Sequence, residues 1–579
     1  MRSFFAIARS DGLEPEWVAR STRQANAKGL DVVFQSDRLL VAASGVEWCA
    51  VPQGDGILIG DLYFRHGPAR VYSGADADLD LFVSAYRDGA VSERCWGSFL
   101  SIRDKGTSET EFLHSPMSSL CVFYAVQGNT VLIASDARSL CDLTGAQPKI
   151  DWQALGTHLV IDDLSFARTC VQAIRELRCG ETLRITPDNA PHVFPNWNAW
   201  TYAHPDIAIT EREQASELLE REIIRCATAR LRDLDEPLLD LSGGLDSSVL
   251  AAMCSRNAIV PKAANFFSPQ TEGDERRFAQ MVVQHLAMPL AEVPLQPDHV
   301  NIAGCALPHL PRPYARAYLQ TIDRITLASA PGARAFVNGG GGDAVFCHLQ
   351  TSAPAVDAML DGNSFLRTVS EVAHSARCSF WIALRMSITK LAKRSQEVNL
   401  RRERDFVRRD FETCDVNDLE LPWQAPPQEI RVGKLEQVYG LYMSARSTNC
   451  FSRSITLKGI FPLLSQPLVE ACLRMPSWLW VGRGNNRVLA RELASKWLPD
   501  EVAWRVSKGG PGQLQRDLFL GNRAVIREML MDGNLQKHGI LDRSELEGHL
   551  SPAGQWHSDK IGRLLRLCYF EGWANQWVR

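Results

Sequence analysis

The segment DLSGGLDSSVLAA (Asp240–Ala252) holds the densest set of anion-binding groups in the chain. The apolar residues ahead of it predict a strand, and VLAAMC after it begins a helix. The chain must therefore turn sharply through Ser242-Gly243-Gly244 at the C-terminal end of a parallel strand. Such a turn presents backbone N–H groups to an anion, with a helix N-terminus behind them. The two glycines let the backbone come close without an intervening Cβ, and Ser242, Ser247 and Ser248 add hydroxyl donors. Asp246 would repel a phosphate unless Mg²⁺ lay between them, which makes it a metal ligand. A lone Ser-Gly-Gly is equally a turn closed by a Ser/Asp helix cap; the full S-G-G-L-D-S-S string between strand and helix is far more specific. The kinase-type G-x-x-x-x-G-K-[ST] loop is absent. Its absence favours attack at an α-phosphate with pyrophosphate release over γ-phosphoryl transfer.

Two further blocks share this character. ARAFVNGGGGDAVF (Ala333–Phe346) is again strand, glycine turn, then Asp at a helix start, where Asp343 is either a second metal ligand or a helix cap. IFPLLSQPLVEACLRMPSWL (Ile460–Leu479) is followed by NNRVLARELASKWLPDEVAWRVSKGG (Asn485–Gly510). Together the three blocks resemble the adenine nucleotide α-hydrolases of the asparagine synthetase branch, continuously from Glu236 to Leu518. The resemblance implies ATP and Mg²⁺ as cofactors. It makes Leu241, Ser242, Gly243, Gly244, Leu245, Asp246, Ser247 and Ser248 the pyrophosphate loop, and Asp246 and Asp343 the metal ligands, with Gly341 and Gly342 lining the second turn. ANFFSPQTEGDERRFA (Ala264–Ala279) is similar to the family's Asp-Glu helix, so the resemblance implies that Ala264 to Phe267, Phe266 among them, line the adenine pocket. Lys508 takes the part of the lysine that contacts the adenylated intermediate, where a cation stabilises charge on phosphorus and on the later oxyanion. Arg487 and Arg491 have two open readings, as phosphate ligands or as helix caps.

These groups need a parallel sheet to hold them. From Thr210 the pattern becomes helical and then alternates strand, loop and helix, which predicts an α/β domain over residues 206–579. A mainly helical insert is expected over about 353–454, with RRERDFVRRD (Arg401–Asp410) as a solvated helix face. Residues 1–205 read instead as short strands between turns, among them GILIGDLYFRHG, SFLSIRD and CVFYAVQGNTVLIAS. This half resembles a class II glutamine amidotransferase domain of the Ntn type. PHVFPNWNAWTYAHPD (Pro191–Asp206), rich in Pro, Asn and Trp, reads as the linker.

What the N-terminal half lacks narrows the reaction. The glutaminase domains of this family use a cysteine after the initiator methionine, with its own amine as base. Position 2 here is Arg2, and the first cysteine is Cys49. The domain is then a degenerate glutaminase, and the attacking amine must already be on the substrate. Two branches match this: β-lactam synthetases and lasso peptide cyclases. Where the former carry a catalytic Tyr or Glu before the second Asp, this chain has Gly340 in a run of four glycines, which implies room for a bulky peptide. The helical insert and the strings P-L-L-S-Q-P-L-V-E and W-R-x-S-K-G-G also match lasso cyclases better. The implied partners are a precursor peptide, a leader peptidase and a leader-binding protein; a β-lactam-type ligase on a small molecule is the alternative.

Composition sets the outer bounds. A net charge of −4 excludes a general attraction to nucleic acid. The fifteen cysteines are scattered singly, with no C-x-x-C pair, as expected of reduced thiols in a cytoplasmic protein. No apolar run reaches the roughly 20 residues of a membrane span.

Overall fold

The computed structural model describes residues 2–51, 56–66, 79–105, 109–161, 166–186, 189–234, 236–267, 274–304, 310–313, 332–393, 402–414, 426–448, 457–507, 509–510, 512–551 and 558–578. The N-terminal strands form two six-stranded antiparallel sheets, packed face to face. Strand Ser3–Arg9 lies between Leu39–Ser44 and Thr130–Ala134. Its side chains alternate between two cores. Phe4, Ala6 and Ala8 meet Ile57, Ile59, Leu100 and Ile102 of the second sheet. Phe5 and Ile7 face the opposite side, toward Ala25, Ala137 and Leu140 of helices Pro15–Lys28 and Ala137–Thr144. Burial on both faces explains why this strand is apolar throughout rather than alternating. The long hairpin of Gly56–Phe64 and Cys95–Asp104 anchors the second sheet.

The segment expected to be a linker is part of the folded body. Asn189–Pro195 is an edge strand paired with Glu181–Thr186, and Ala199–Ala203 is a short helix capped by Asn198. Prolines are compatible with an edge position, where a missing N–H costs no ladder bond. Trp197 and Trp200 are both buried, and their apolar area holds the segment down where periodicity gave no signal.

The C-terminal part carries a five-stranded parallel sheet in the order Leu290–Pro294, Lys262–Phe267, Leu238–Asp240, Ala335–Val337, Lys458–Ile460. The chain enters at the central strand, Leu238–Asp240, builds outward to one side, then returns to build the other. The order therefore reverses between Leu238–Asp240 and Ala335–Val337, and loops leaving those two neighbours at their C-terminal ends diverge around a crevice.

Helices Ala353–Leu360, Phe365–Ser375, Phe380–Lys393 and Val432–Ser447 are the described helices of the insert. The run Arg401–Asp410 is not a helix over its described residues. Arg402 bridges to Ile161, Val407 bridges to Leu541, and Phe406 is fully buried. Arg563 donates to Leu159 O at 2.8 Å and to Glu403 O at 3.0 Å, so the basic run is a strap joining distant parts of the chain. Its charges looked like a solvated face because the two apolar anchors, Phe406 and Val407, are few.

A buried carboxylate orients the insert. Asp357 accepts from Gly433 N at 3.0 Å and from Ser477 Oγ at 2.6 Å, and burial pushes its pKa up to about 7 from 3.8. The folded state thus holds this proton more tightly than the unfolded chain. Its contribution to stability is complete below the unfolded pKa and is lost as pH rises toward 7. In Asp357→Asn, where the amide oxygen still accepts from Gly433, that decline is expected to flatten by up to about 1.4 kcal/mol per pH unit. Denaturant unfolding of both proteins across this pH range measures it; parallel curves would place the titration elsewhere.

Candidate active site

The two glycine-bearing loops emerge from neighbouring strands at the point of reversal. Asp240 closes the first strand and accepts from Asn338 Nδ2 at 2.7 Å, so the strand ends are tied across the gap. Leu241 N donates to Ala264 O at 2.9 Å, and Asn265 Nδ2 donates to Leu241 O at 2.8 Å. Gly243 has φ +72°, and a Cβ there would lie 2.6 Å from Ala279 N. Only glycine allows this turn so close to the next helix. Helix Leu245–Arg256 begins immediately after, with Asp246 in its first turn. Ser242 Oγ and Ser247 Oγ are 3.1 Å apart, and Ser248 Oγ is buried without a hydrogen-bond partner.

In the second loop Gly341 has φ +91°, and a side chain there would run into Leu464. A Cβ on Gly342 would collide with the Asp246 carboxyl group, and one on Gly339 would lie 3.0 Å from Ser247 N. The glycine run therefore lets the second loop close onto the first. A Cβ at Gly340 would lie 2.9 Å from Asn338 Oδ1, the end of a side chain that can turn aside.

The close approach brings Asp246 and Asp343 onto one cation. Arg487 Nη1 donates to Asp343 Oδ1 at 2.6 Å and to Asp246 Oδ1 and Oδ2 at 3.2 and 3.3 Å. Arg487 is 9% exposed, and its Nε is buried without a partner. His348 Nδ1 lies 3.2 Å from Asp343 Oδ1. Two carboxylates sharing one positive charge at the mouth of a Ser/Gly loop suit a divalent ion that also takes phosphate and water oxygens, as Mg²⁺ does. Among the described residues no group of three or more His, Cys, Asp or Glu side chains could enclose a metal. Such an ion would thus depend on the nucleotide for its remaining ligands.

The two arginines left open by the sequence separate cleanly. Arg491 is buried and donates to Ala503 O, Arg505 O and Asn486 O, and burial lowers its pKa to about 10. It pins the backbone. Arg487 faces the carboxylates.

Lys508 lies outside the described residues, but its neighbours are well anchored. Arg505 donates to Glu275 and, at 3.1 Å, to Gly243 O of the first loop. Gly509 N donates to Glu275 Oε1 at 2.9 Å. Glu275 thus ties both sides of Lys508 to the start of helix Arg276–Leu286, and the Arg505 guanidinium stacks on Phe278 with 3.9 Å to the ring centroid. Neither Arg505 nor Glu275 was legible as a site residue. The W-R-x-S-K-G string drew attention to the lysine, and nothing in spacing pairs Arg505 with a glutamate so far back in the chain. Phe266 is half-buried on the strand beside Leu238–Asp240.

The asparagine synthase family profile matches residues 218–575, more than half of the chain. The chain belongs to the asparagine synthase family. Membership supports ATP-dependent amide-bond formation at this site, and the matched span contains both Asp loops, Arg487 and Lys508. A comparison with curated proteins returns no match. Among solved structures, the glutamine PRPP amidotransferase of B. subtilis complexed with ADP and GMP is 10% identical. That match covers 50% of this chain and 65% of the other, so it spans just under two thirds of that enzyme, with a TM-score of 0.21. A structure titled as the allosteric regulatory enzyme of purine biosynthesis is also 10% identical, with 53% and 82% covered and a TM-score of 0.20.

A cavity of about 580 Å³ lies apart from the two Asp loops, at the start of the first strand. Arg2 and Ser3 line it together with Asp61, Ser98, Ser119 and Lys458. No described helix is long and apolar enough to cross a membrane.

Proposed function

We propose that the protein is an AMP-forming, glutamine-independent amide ligase that closes a macrolactam in a peptide, as lasso peptide cyclases do. The observation that carries the ligase part is the convergence of Asp246 and Asp343 on one cation beside the Ser242–Ser248 turn. In this reading the turn's N–H groups and hydroxyls bind the β- and γ-phosphates, and Asp246 and Asp343 hold Mg²⁺. The bound ion would neutralise phosphate charge and favour pyrophosphate as leaving group. Arg505 and Glu275 fix the segment that carries Lys508, whose ammonium stabilises charge at the α-phosphorus as an Asp or Glu side chain of the peptide attacks. The peptide's N-terminal amine then displaces AMP. The enzyme's larger contribution is to hold amine and acyl carbon together in the threaded shape.

Support for a peptide substrate comes from sequence: the strings Pro462–Glu470 and Trp504–Gly510, and the insert between the second Asp loop and the last strand. The precursor peptide, with a leader peptidase and a leader-binding protein, completes the proposed system. Purified protein with ATP, Mg²⁺ and a linear core peptide, without glutamine, is expected to yield a product lighter by one water, together with AMP and pyrophosphate. Lys508→Ala is expected to slow this by ~10²–10³-fold. An unchanged peptide alongside pyrophosphate release with a small β-amino acid would reassign the substrate to the β-lactam type and keep the ligase.

A further inference from the structure

Exposed large apolar side chains are concentrated on helix Phe380–Lys393. Trp381 is 74% exposed, the highest value for any large apolar residue among the described ones, and Ile382, Met386 and Ile388 are each more than half exposed. Ala383 and Ser387 are the buried positions, and Ala383 packs with Ala355, Val369 and Ala373. At 3.6 residues per turn the exposed positions fall in one arc of roughly 160°. Arg385 and Lys393 share that arc. The helix carries no acidic residue, and the adjoining helix Phe365–Ser375 carries only Glu371, whose carboxylate accepts from Gly484 N at 2.8 Å. Exposed Leu366 and Arg367 on that helix repeat the same pairing of apolar and cationic groups.

We infer that this arc docks the protein peripherally on an anionic lipid surface. A helix face that exposes four large apolar side chains around a cation is rare on a protein that stays in water alone. The arc is the convex side of a single helix, so it offers a partner no groove for an anchoring side chain. A bilayer needs none: Trp, Ile and Met enter the headgroup–acyl boundary, while Arg385 and Lys393 extend their stems and keep their charges among lipid phosphates. A second copy of the chain fits poorly, because it would bring like charges together. The absence of an acidic side chain on the arc gives the complementarity that anionic headgroups require.

Cosedimentation of the full-length protein with vesicles tests this. The wild type is expected to pellet with vesicles of equal parts phosphatidylglycerol and phosphatidylcholine, and to stay in solution with phosphatidylcholine alone. Trp381→Ser/Ile382→Ser/Met386→Ser and Arg385→Glu/Lys393→Glu are each expected to weaken partitioning by about tenfold or more. Their melting temperatures should match the wild type, since the substituted side chains are exposed. Wild-type protein left in the supernatant with anionic vesicles would overturn the inference, as would both variants pelleting like the wild type. Retention of the wild type, but not the variants, on immobilised polyglutamate without vesicle binding would also overturn it and assign the arc to an acidic protein.

Discussion

Asp246→Asn is expected to lower pyrophosphate release by ~10³-fold or more, and Asp343→Asn by a similar factor. Among the described residues two carboxylates meet at this point, so each supplies half of the negative charge they offer a divalent ion. An amide oxygen keeps the shape and one acceptor but removes the charge that draws the ion from water. The two losses should not multiply, because either one already removes the function the pair serves. The double variant is therefore expected to be about as slow as the singles. Folding should survive, since the carboxylates lie at the surface of the crevice and Arg487 retains one charged partner in each single variant. Steady-state pyrophosphate release across a Mg²⁺ titration, with thermal melts alongside, measures this. Near-wild-type rates in either variant would remove the assignment of these residues to the metal.

The second large effect lies away from the chemistry, at Glu470. This buried carboxylate accepts from Arg65 Nη1 at 2.5 Å and Nη2 at 2.7 Å, from Trp197 Nε1 at 2.9 Å and from Gln466 Nε2 at 2.9 Å. Its four donors come from the N-terminal sheets, the segment after them and its own helix Gln466–Leu473. Glu470→Ala leaves the Arg65 guanidinium without its counter-charge and removes the shared acceptor of four hydrogen bonds. The expected loss is about 3–5 kcal/mol, the range for removing one partner of a buried ion pair. Arg65→Met in the Glu470→Ala background is expected to restore part of it, because the uncompensated charge is then gone. Denaturant unfolding of the four proteins closes the cycle. A single-variant loss within about 1 kcal/mol would show that the pair is screened by solvent as a surface pair is.

The first of these effects could be foreseen from the sequence and the second could not, for physical reasons. Asp246 and Asp343 announce themselves locally: each follows a glycine turn at the end of a β-branched or leucine-rich strand and opens a helix. The parallel sheet was legible in the same way, from strand–loop–helix repetition, and the N-terminal sheets from short apolar runs around turns such as Gly128-Asn129. Glu470 sits inside P-L-V-E-A-C-L (Pro467–Leu473), where nothing distinguishes it from a solvated glutamate. Its partners are far away in the chain, and a contact of that range leaves no periodic trace. Arg505 and Glu275 were missed for the same reason. The segment Pro191–Asp206 was misread because Pro and Asn signal loops, whereas buried Trp197 and Trp200 and edge pairing outweigh that local signal. Composition likewise made Arg401–Asp410 a solvated helix, although Phe406 and Val407 fasten it as a strap.

Activation of a carboxylate by transfer of an adenylyl group leaves an isotopic signature in the nucleotide product. A linear core peptide carrying ¹⁸O in its acceptor side-chain carboxylate would be cyclised with ATP, and the nucleotide products read by mass spectrometry. Adenylyl transfer places one ¹⁸O in AMP and none in pyrophosphate, with no dependence on glutamine. Label appearing in inorganic phosphate, with ADP as the nucleotide product, would contradict it.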